Sequence, residues 1–208
     1  MSRINFRLLL VTDRTQTGGR SLPMLLRQSV EVGVPAIQLR ERDLPAGELL
    51  SLAHEIRTFT APRAVPLIIN DRVDLMLALD LDGVHLRANS LPITVVRRLV
   101  GRDRLIGVST HSLGEVREAN RDGADYVVFG PIFDTPSKRP FGSPMGLEQL
   151  SEVCRASDIP VFAIGGITVS SVSDVRRAGA YGVAAVGAIL ARNDVGAATQ
   201  DMLTALLL

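Results

Sequence analysis

The chain has 208 residues, 46% of them hydrophobic and 22% charged, with 23 basic against 22 acidic side chains and a formal charge of +1. That length supports one sizeable core without metal or disulfide staples, and the near-neutral balance excludes the basic excess of a nucleic-acid binder. Cys154 is the single cysteine, so no intrachain disulfide can form; free cysteine usually packs as a small apolar group, and here it is expected on a helix.

The first apolar run, Leu8 to Val11, stops at Asp13 and Arg14. It is too short for a secretory h-region and reads as a strand over 8–12. Further strands are expected at 36–40, 67–70, 83–86, 105–109, 126–129, 161–164 and 183–186. These runs are almost continuously apolar, the signature of parallel strands buried on both faces.

Helical patterns lie between them. Residues 22–32 place Leu22, Leu25, Leu26, Ser29 and Val32 on one side, and 46–60 carry Leu49, Ala53, Ile56 and Phe59. A helix over 91–100 follows Asn89 and Ser90, both favourable N-cap types. Ser112 with Glu115 three positions on forms a capping-box pattern, and a further helix is expected over 169–178. Gly33, Gly123 and Gly179 sit where left-handed C-terminal caps belong. No stretch approaches the roughly 18 apolar residues of a membrane span, so a cytoplasmic protein is expected.

Strand–helix alternation demands parallel strands with right-handed crossovers. Eight even units, with no linker and no Gly-x-Gly-x-x-Gly after the first strand, favour a single (β/α)8 TIM barrel over residues 1–208 rather than an open dinucleotide-binding sheet.

In such barrels chemistry sits at the carboxyl ends of the strands, and there the polar interruptions collect. Gln38 and Arg40 alternate on an otherwise apolar strand, so both point into the barrel end, where an idle charge is costly. Asn70 and Asp71 either cap the next helix or, with Arg40, Arg42 and Arg72 around them, form a magnesium or phosphate network. Thr135, Ser137 and Lys138 supply hydroxyls and a cation on a proline-stiffened loop, and 139–145 read as a lid or crossing loop. Gly165-Gly166 and Gly187 close the seventh and eighth strands, where backbone N–H groups commonly hold phosphate. Each such contact to a charged oxygen contributes roughly 1.5–3 kcal/mol. His85 reads as either a satisfied core residue or part of the site. His111 belongs to a turn and His54 to a helix surface.

Nine ordered segments together resemble the thiamine phosphate synthase/TenI superfamily. They are Leu10-Val-Thr-Asp13, Ile37-Gln-Leu-Arg-Glu-Arg42, Ile69-Asn-Asp71, Asp82-Gly-Val-His-Leu86, Ile106-Gly-Val-Ser-Thr-His-Ser112, Ala124-Asp-Tyr126, Phe129-Gly-Pro-Ile-Phe133, Thr135-x-Ser-Lys138 and Ala163-Ile-Gly-Gly-Ile167. The resemblance implies a Mg2+-dependent transferase that joins an aminopyrimidine methyl diphosphate to a thiazole phosphate and releases pyrophosphate. It implies that Gln38, Arg40, Asn70 and Asp71 face the pyrimidine diphosphate and its Mg2+, with Asp71 the metal ligand. Arg42 stands where the family usually has Lys. Ser109, Thr135, Ser137 and Lys138 would hold diphosphate or thiazole phosphate, and Gly165 and Gly166 the thiazole phosphate. Arg40, Ser109 and Lys138 are the implied catalytic set. The implied partners are these two small molecules, with no nucleic acid and no membrane; a homodimer is allowed.

Three positions depart from the synthase pattern. After His85-Leu86 the synthases usually continue Gly-Gln-x-Asp, the Asp being a second metal ligand; here the run is Arg87-Ala88-Asn89-Ser90. Gly187 replaces a Ser. Pro131 stands where characterised TenI thiazole tautomerases have a catalytic His. A TenI-like thiazole phosphate tautomerase and a non-catalytic thiazole-phosphate-binding regulator are therefore alternative expectations.

Overall fold

Leu, Ile and Val dominate the short runs because a barrel strand is covered on both faces, by the bore on one side and by helices on the other. In the computed structural model, which describes residues 3–135, 139 and 143–207, these runs form β1 (Leu8–Val11), β2 (Ile37–Leu39), β3 (Leu67–Asn70), β4 (Gly83–Leu86), β5 (Leu105–Thr110), β6 (Tyr126–Phe129), β7 (Val161–Ile164) and β8 (Gly182–Ala185). Each pairs in parallel with the next, and β8 closes on β1 through Leu9↔Ala184. The expected (β/α)8 barrel is therefore present. The eighth strand begins one residue earlier than the apolar pattern indicates.

The helices are α1 (Leu22–Glu31), α2 (Ala46–Thr60), α3 (Val73–Ala78), α4 (Ile93–Val100), α5 (Leu113–Asp122), α6 (Gly146–Ala156), α7 (Val172–Arg177), α8 (Gly187–Leu190) and α9 (Val195–Leu207). Because α8 is a single turn, α9 completes the outer ring by packing on α1, where Ser29 Oγ lies 3.0 Å from Thr199 Oγ1. Gly33, Gly123 and Gly179 take positive φ after their helices, as expected. Ser112 caps α5 by accepting from Glu115 N at 3.2 Å, but Glu115 turns back to His111 N rather than to the cap. The helix expected over 91–100 starts at Ile93 after Pro92, and neither Asn89 nor Ser90 caps it. The stretch 169–178 opens as a 3-10 turn, Val169–Ser171, before α7. Cys154 is half-buried against the core, and burial raises its thiol pKa to about 11.

Alternation along the strands separates two apolar clusters. Leu8, Leu10, Ile37, Leu39, Ile69 and Val84 face the helices. Leu9, Val11, Ile68, Tyr126, Val128 and Phe162 fill the bore. Towards its amino end the bore is plugged by rings: Phe6–Phe162 at 5.4 Å, Tyr126–Phe162 at 5.5 Å and Phe6–Tyr126 at 6.2 Å between centroids. Gly107 makes room for this plug, since a Cβ there would lie 2.1 Å from Tyr126 Cζ.

The amino ends of the strands carry a repeated clamp. Asp82 Oδ2 accepts from Leu67 N and from Arg57 Nη1, both at 2.8 Å. Asp125 Oδ2 likewise accepts from Ile106 N at 2.7 Å and Arg97 Nη2 at 2.5 Å. Each pins the start of a neighbouring strand to an outer helix.

Candidate active site

The inward register of β2 and β3 aims Gln38 and Asn70 into the bore, where Gln38 Nε2 donates to Asn70 Oδ1 at 3.3 Å. Both are buried. Asn70 is thus a bore residue and no helix cap. One layer deeper, His85 is buried between two hydroxyls: Nδ1 lies 3.2 Å from Tyr126 Oη and Nε2 2.9 Å from Ser109 Oγ. Burial, and then the charge of Arg40, push the His85 pKa down to about 3. The imidazole is therefore neutral and offers one donor and one acceptor. It is a satisfied core residue that also fixes Ser109 at the half-exposed end of the bore.

Arg40 follows β2, with its backbone N–H donating to Thr12 Oγ1 at 2.9 Å. The same hydroxyl donates to buried Glu41 Oε1 at 2.6 Å, and Arg14 N donates to Glu41 Oε2 at 3.1 Å. Burial raises the Glu41 pKa against these bonds. Glu41 therefore locks β1 to β2 and sets the base from which Arg40 and Arg42 project. Sequence reasoning missed this role; its signal was a lone acid between two arginines at a strand end. Among the described residues, neither the Arg40 nor the Arg42 guanidinium has a hydrogen-bond or ion-pair partner. Partial desolvation, then the charges of Arg40 and Arg87, depress the Arg42 pKa.

A depression of about 120 Å³ opens at this end, bordered by Glu41, Arg42, Asn70, Asp71, Arg72 and Arg87. Asp71 has φ of 65° and is anchored by its own N–H to His85 O at 2.9 Å. Its side chain is held on both oxygens, by Arg87 Nη2 on Oδ2 and by Ser90 Oγ on Oδ1. Ser90 Oγ also accepts from Arg87 N at 2.7 Å, which explains why it does not cap α4. Partial burial would raise the Asp71 pKa, but the bonds from Ser90 and Arg87 and the charges of Arg87 and Arg42 outweigh it and hold the carboxyl below its ordinary range. Arg72, expected to join the cationic cluster, borders the depression but spends its guanidinium on Asp74. Arg87 takes its place.

Across the mouth, Gly165 and Gly166 have φ of 97° and 66°. A Cβ on Gly165 would lie 2.6 Å from Pro131 Cα, and one on Gly166 2.7 Å from Asp134 O. Glycine is needed here for two loops to touch, with Phe133 N donating to Gly165 O at 3.0 Å. Gly187 opens α8, and the space its side chain would fill is occupied by Gln16 Oε1, 2.5 Å from the Cβ position. Gln16 Nε2 in turn donates to Asp13 Oδ2 at 3.0 Å. Asp13 and Gln16 were not singled out from sequence; their i, i+3 spacing on a 3-10 turn was the available signal. Thr135 lies at the end of the described β6 loop. Ser137, Lys138 and residues 140–142 of the 139–145 lid stretch lie outside the described residues.

A closed parallel barrel with a cationic, glycine-lined mouth at the strand carboxyl ends defines an enzyme scaffold. The family described as thiamine monophosphate synthase matches residues 8–189, and the chain belongs to it. A thiamine-phosphate synthase of Roseiflexus castenholzii is 46% identical over 192 residues, covering 92% of this chain and 84% of that protein. One from Chloroflexus aurantiacus is 42% identical over 199 residues, covering 96% and 92%. The structure of thiamine phosphate pyrophosphorylase from Pyrococcus furiosus superposes with a TM-score of 0.88 at 32% identity, covering 97% and 96%.

The implied Mg2+ can be tested against this donor set. Among the described residues there is no group of three or more His, Cys, Asp or Glu able to hold a metal, and both Asp71 oxygens are already engaged. An all-protein cage is therefore absent. Mg2+ is commonly held by one or two carboxylates plus substrate phosphates, and Asp71 with the Ser90 hydroxyl fits that shared arrangement.

Proposed function

We propose that this chain is a transferase of thiamine biosynthesis: it joins aminopyrimidine methyl diphosphate to thiazole phosphate, giving thiamine phosphate and pyrophosphate. The observation that carries this reading is the pair of guanidinium groups, Arg40 and Arg42, that have no partner among the described residues at the mouth of a synthase-family barrel. In the reaction the methylene C–O bond to diphosphate breaks, the electron-rich pyrimidine stabilises the cationic carbon, and the thiazole nitrogen forms the new C–N bond. Arg40 and Arg42 bind the diphosphate and stabilise the charge that it gains on leaving. Gln38 and Asn70 orient the pyrimidine, and Ser109, steadied by neutral His85, lines the end of the bore. Backbone N–H groups of the Gly165-Gly166 turn hold the thiazole phosphate, and Thr135, Ser137 and Lys138 are the further phosphate ligands that the family resemblance implies. Mg2+, when bound at Asp71, would supply further charge neutralisation to the diphosphate. No strong base is required, which suits a site whose only buried imidazole is committed to two hydroxyls.

We place the reaction in the cytoplasm; among the described residues no helix is long and apolar enough to cross a membrane. The test is coupling of the two substrates by purified protein with Mg2+. Thiamine phosphate and pyrophosphate should appear in equal amounts. Absence of both, with correctly folded protein, overturns the reading. Turnover of a thiazole phosphate tautomer without diphosphate or metal would support the tautomerase alternative instead.

A further inference from the structure

Arg87 differs from the other cations at the mouth. Arg40 and Arg42 are free to meet a ligand, whereas Arg87 already sits on the carboxylate that a metal would need. It is not a loosely draped surface side chain. Its backbone N–H is tied to Ser90 Oγ, and Ser90 completes the hold on Asp71. Its Nε is buried without a hydrogen-bond partner among the described residues. A buried donor left idle is costly, so this guanidinium carries a donor suited to an oxygen not supplied by the folded chain.

The charges point the same way. Without ligand, Arg42, Arg72 and Arg87 border one carboxylate whose oxygens are both satisfied. A free divalent cation would have to displace a guanidinium while facing two more. A diphosphate reverses the balance, because it offers several anionic oxygens to the same guanidinium, and arginine forms its strongest bonds with such groups. Once Arg87 turns to phosphate, Asp71 Oδ2 is released.

We propose that Arg87 is a resident cation lock on Asp71, opened by diphosphate, so that metal and diphosphate enter as a coupled pair and the metal does not bind first. This inference rests on reading the mouth as a diphosphate site. By linkage, whatever factor diphosphate adds to metal affinity, the metal adds to diphosphate affinity.

The test uses Mn2+ as the probe, with free Mn2+ read by electron paramagnetic resonance during titration of the full chain. Titrations run without and with inorganic pyrophosphate, against protein-free controls for the Mn2+–pyrophosphate complex. Without pyrophosphate the wild type should bind Mn2+ weakly. Arg87→Ala should tighten binding by about tenfold or more, the factor expected when the competent state is a tenth or less of the population. The double variant Arg87→Ala with Asp71→Asn should return to weak binding, and Arg87→Lys, which keeps the charge, should stay weak. Pyrophosphate should tighten Mn2+ binding more in the wild type than in Arg87→Ala. Thermal melting checks each fold, and Arg87→Gln, which keeps a neutral donor, replaces Arg87→Ala should that variant fail to fold. Equal Mn2+ affinities for wild type and the uncharged variants overturn the lock. A chain that makes no thiamine phosphate yet shows this pattern loses the proposed reaction and keeps the lock; coupling activity with equal affinities does the reverse.

Discussion

The two ends of this barrel use the same residue types for opposite purposes. At the amino ends of the strands, Asp82 and Asp125 each take an arginine and a strand N–H, so every charge of the clamp is matched to a fixed backbone position. At the carboxyl ends, Arg40 and Arg42 project from an equally well-fixed base, Glu41 on Thr12, yet have no partner among the described residues. Arg57 and Arg97, each with a fixed partner, maintain the fold, whereas Arg40 and Arg42, held open on a rigid support, wait for a ligand. Exposure alone would not separate the two ends; what separates them is whether the donors are spent.

Substitutions should divide along the same line. The largest effect is expected from Asp125→Ala. It strips Arg97 and the Ile106 N–H of a partly buried acceptor, at a cost of about 3 kcal/mol. The urea midpoint should fall while specific activity of the folded fraction holds; a ligand-affinity loss of similar size would erase the distinction between the ends. Arg40→Ala should do the converse. Loss of charge-assisted bonds should weaken pyrophosphate binding by about 1.5–3 kcal/mol, leaving thiazole phosphate affinity and the melting temperature nearly unchanged in calorimetry. Equal losses for both ligands would make Arg40 structural.

The layer between the two ends responds to pH. Folded His85 titrates near 3 and an unfolded His near 6.5. As pH falls, the unfolded chain therefore takes up the proton first. The stability from neutral His85 is fully present above 6.5 and declines as pH drops towards 3, by up to about 1.4 kcal/mol per pH unit. His85→Asn should flatten that slope in denaturation curves collected on either side of pH 6.5; an unchanged slope would mean that the ring is hydrated. The smallest effect is expected from Gly187→Ala. Its methyl would displace only the tip of Gln16, a flexible side chain, so stability should fall by less than about 1 kcal/mol. Thiazole phosphate affinity measures whether the Gln16–Asp13 pair supports the mouth.

The barrel was legible because eight two-faced strands must be apolar throughout, and alternation alone aimed Gln38 and Arg40 at the barrel end, whereas Asn70 stayed open between helix cap and site residue. Sequence also flagged Ser90 and Arg87, but as departures from a pattern. Their joint hold on Asp71 was hidden, because a hydroxyl before a helix looks like a cap until Pro92 claims that position. Arg72 lies at the expected end beside Arg42 and Asp71, but its guanidinium is captured for a local reason by Asp74, two residues on. The Gly187–Gln16 and Ser109–His85–Tyr126 contacts join residues far apart in the chain, and no spacing rule announces them.

The ring plug of Phe6, Tyr126 and Phe162 has a consequence for traffic. With the aliphatic side chains that fill the bore it leaves no through passage among the described residues, so a ligand held at the carboxyl ends of the strands arrives and leaves on that one face. For a reaction with two substrates and two products, departure and arrival then share a corridor. Whichever product lingers there bars both incoming molecules at once.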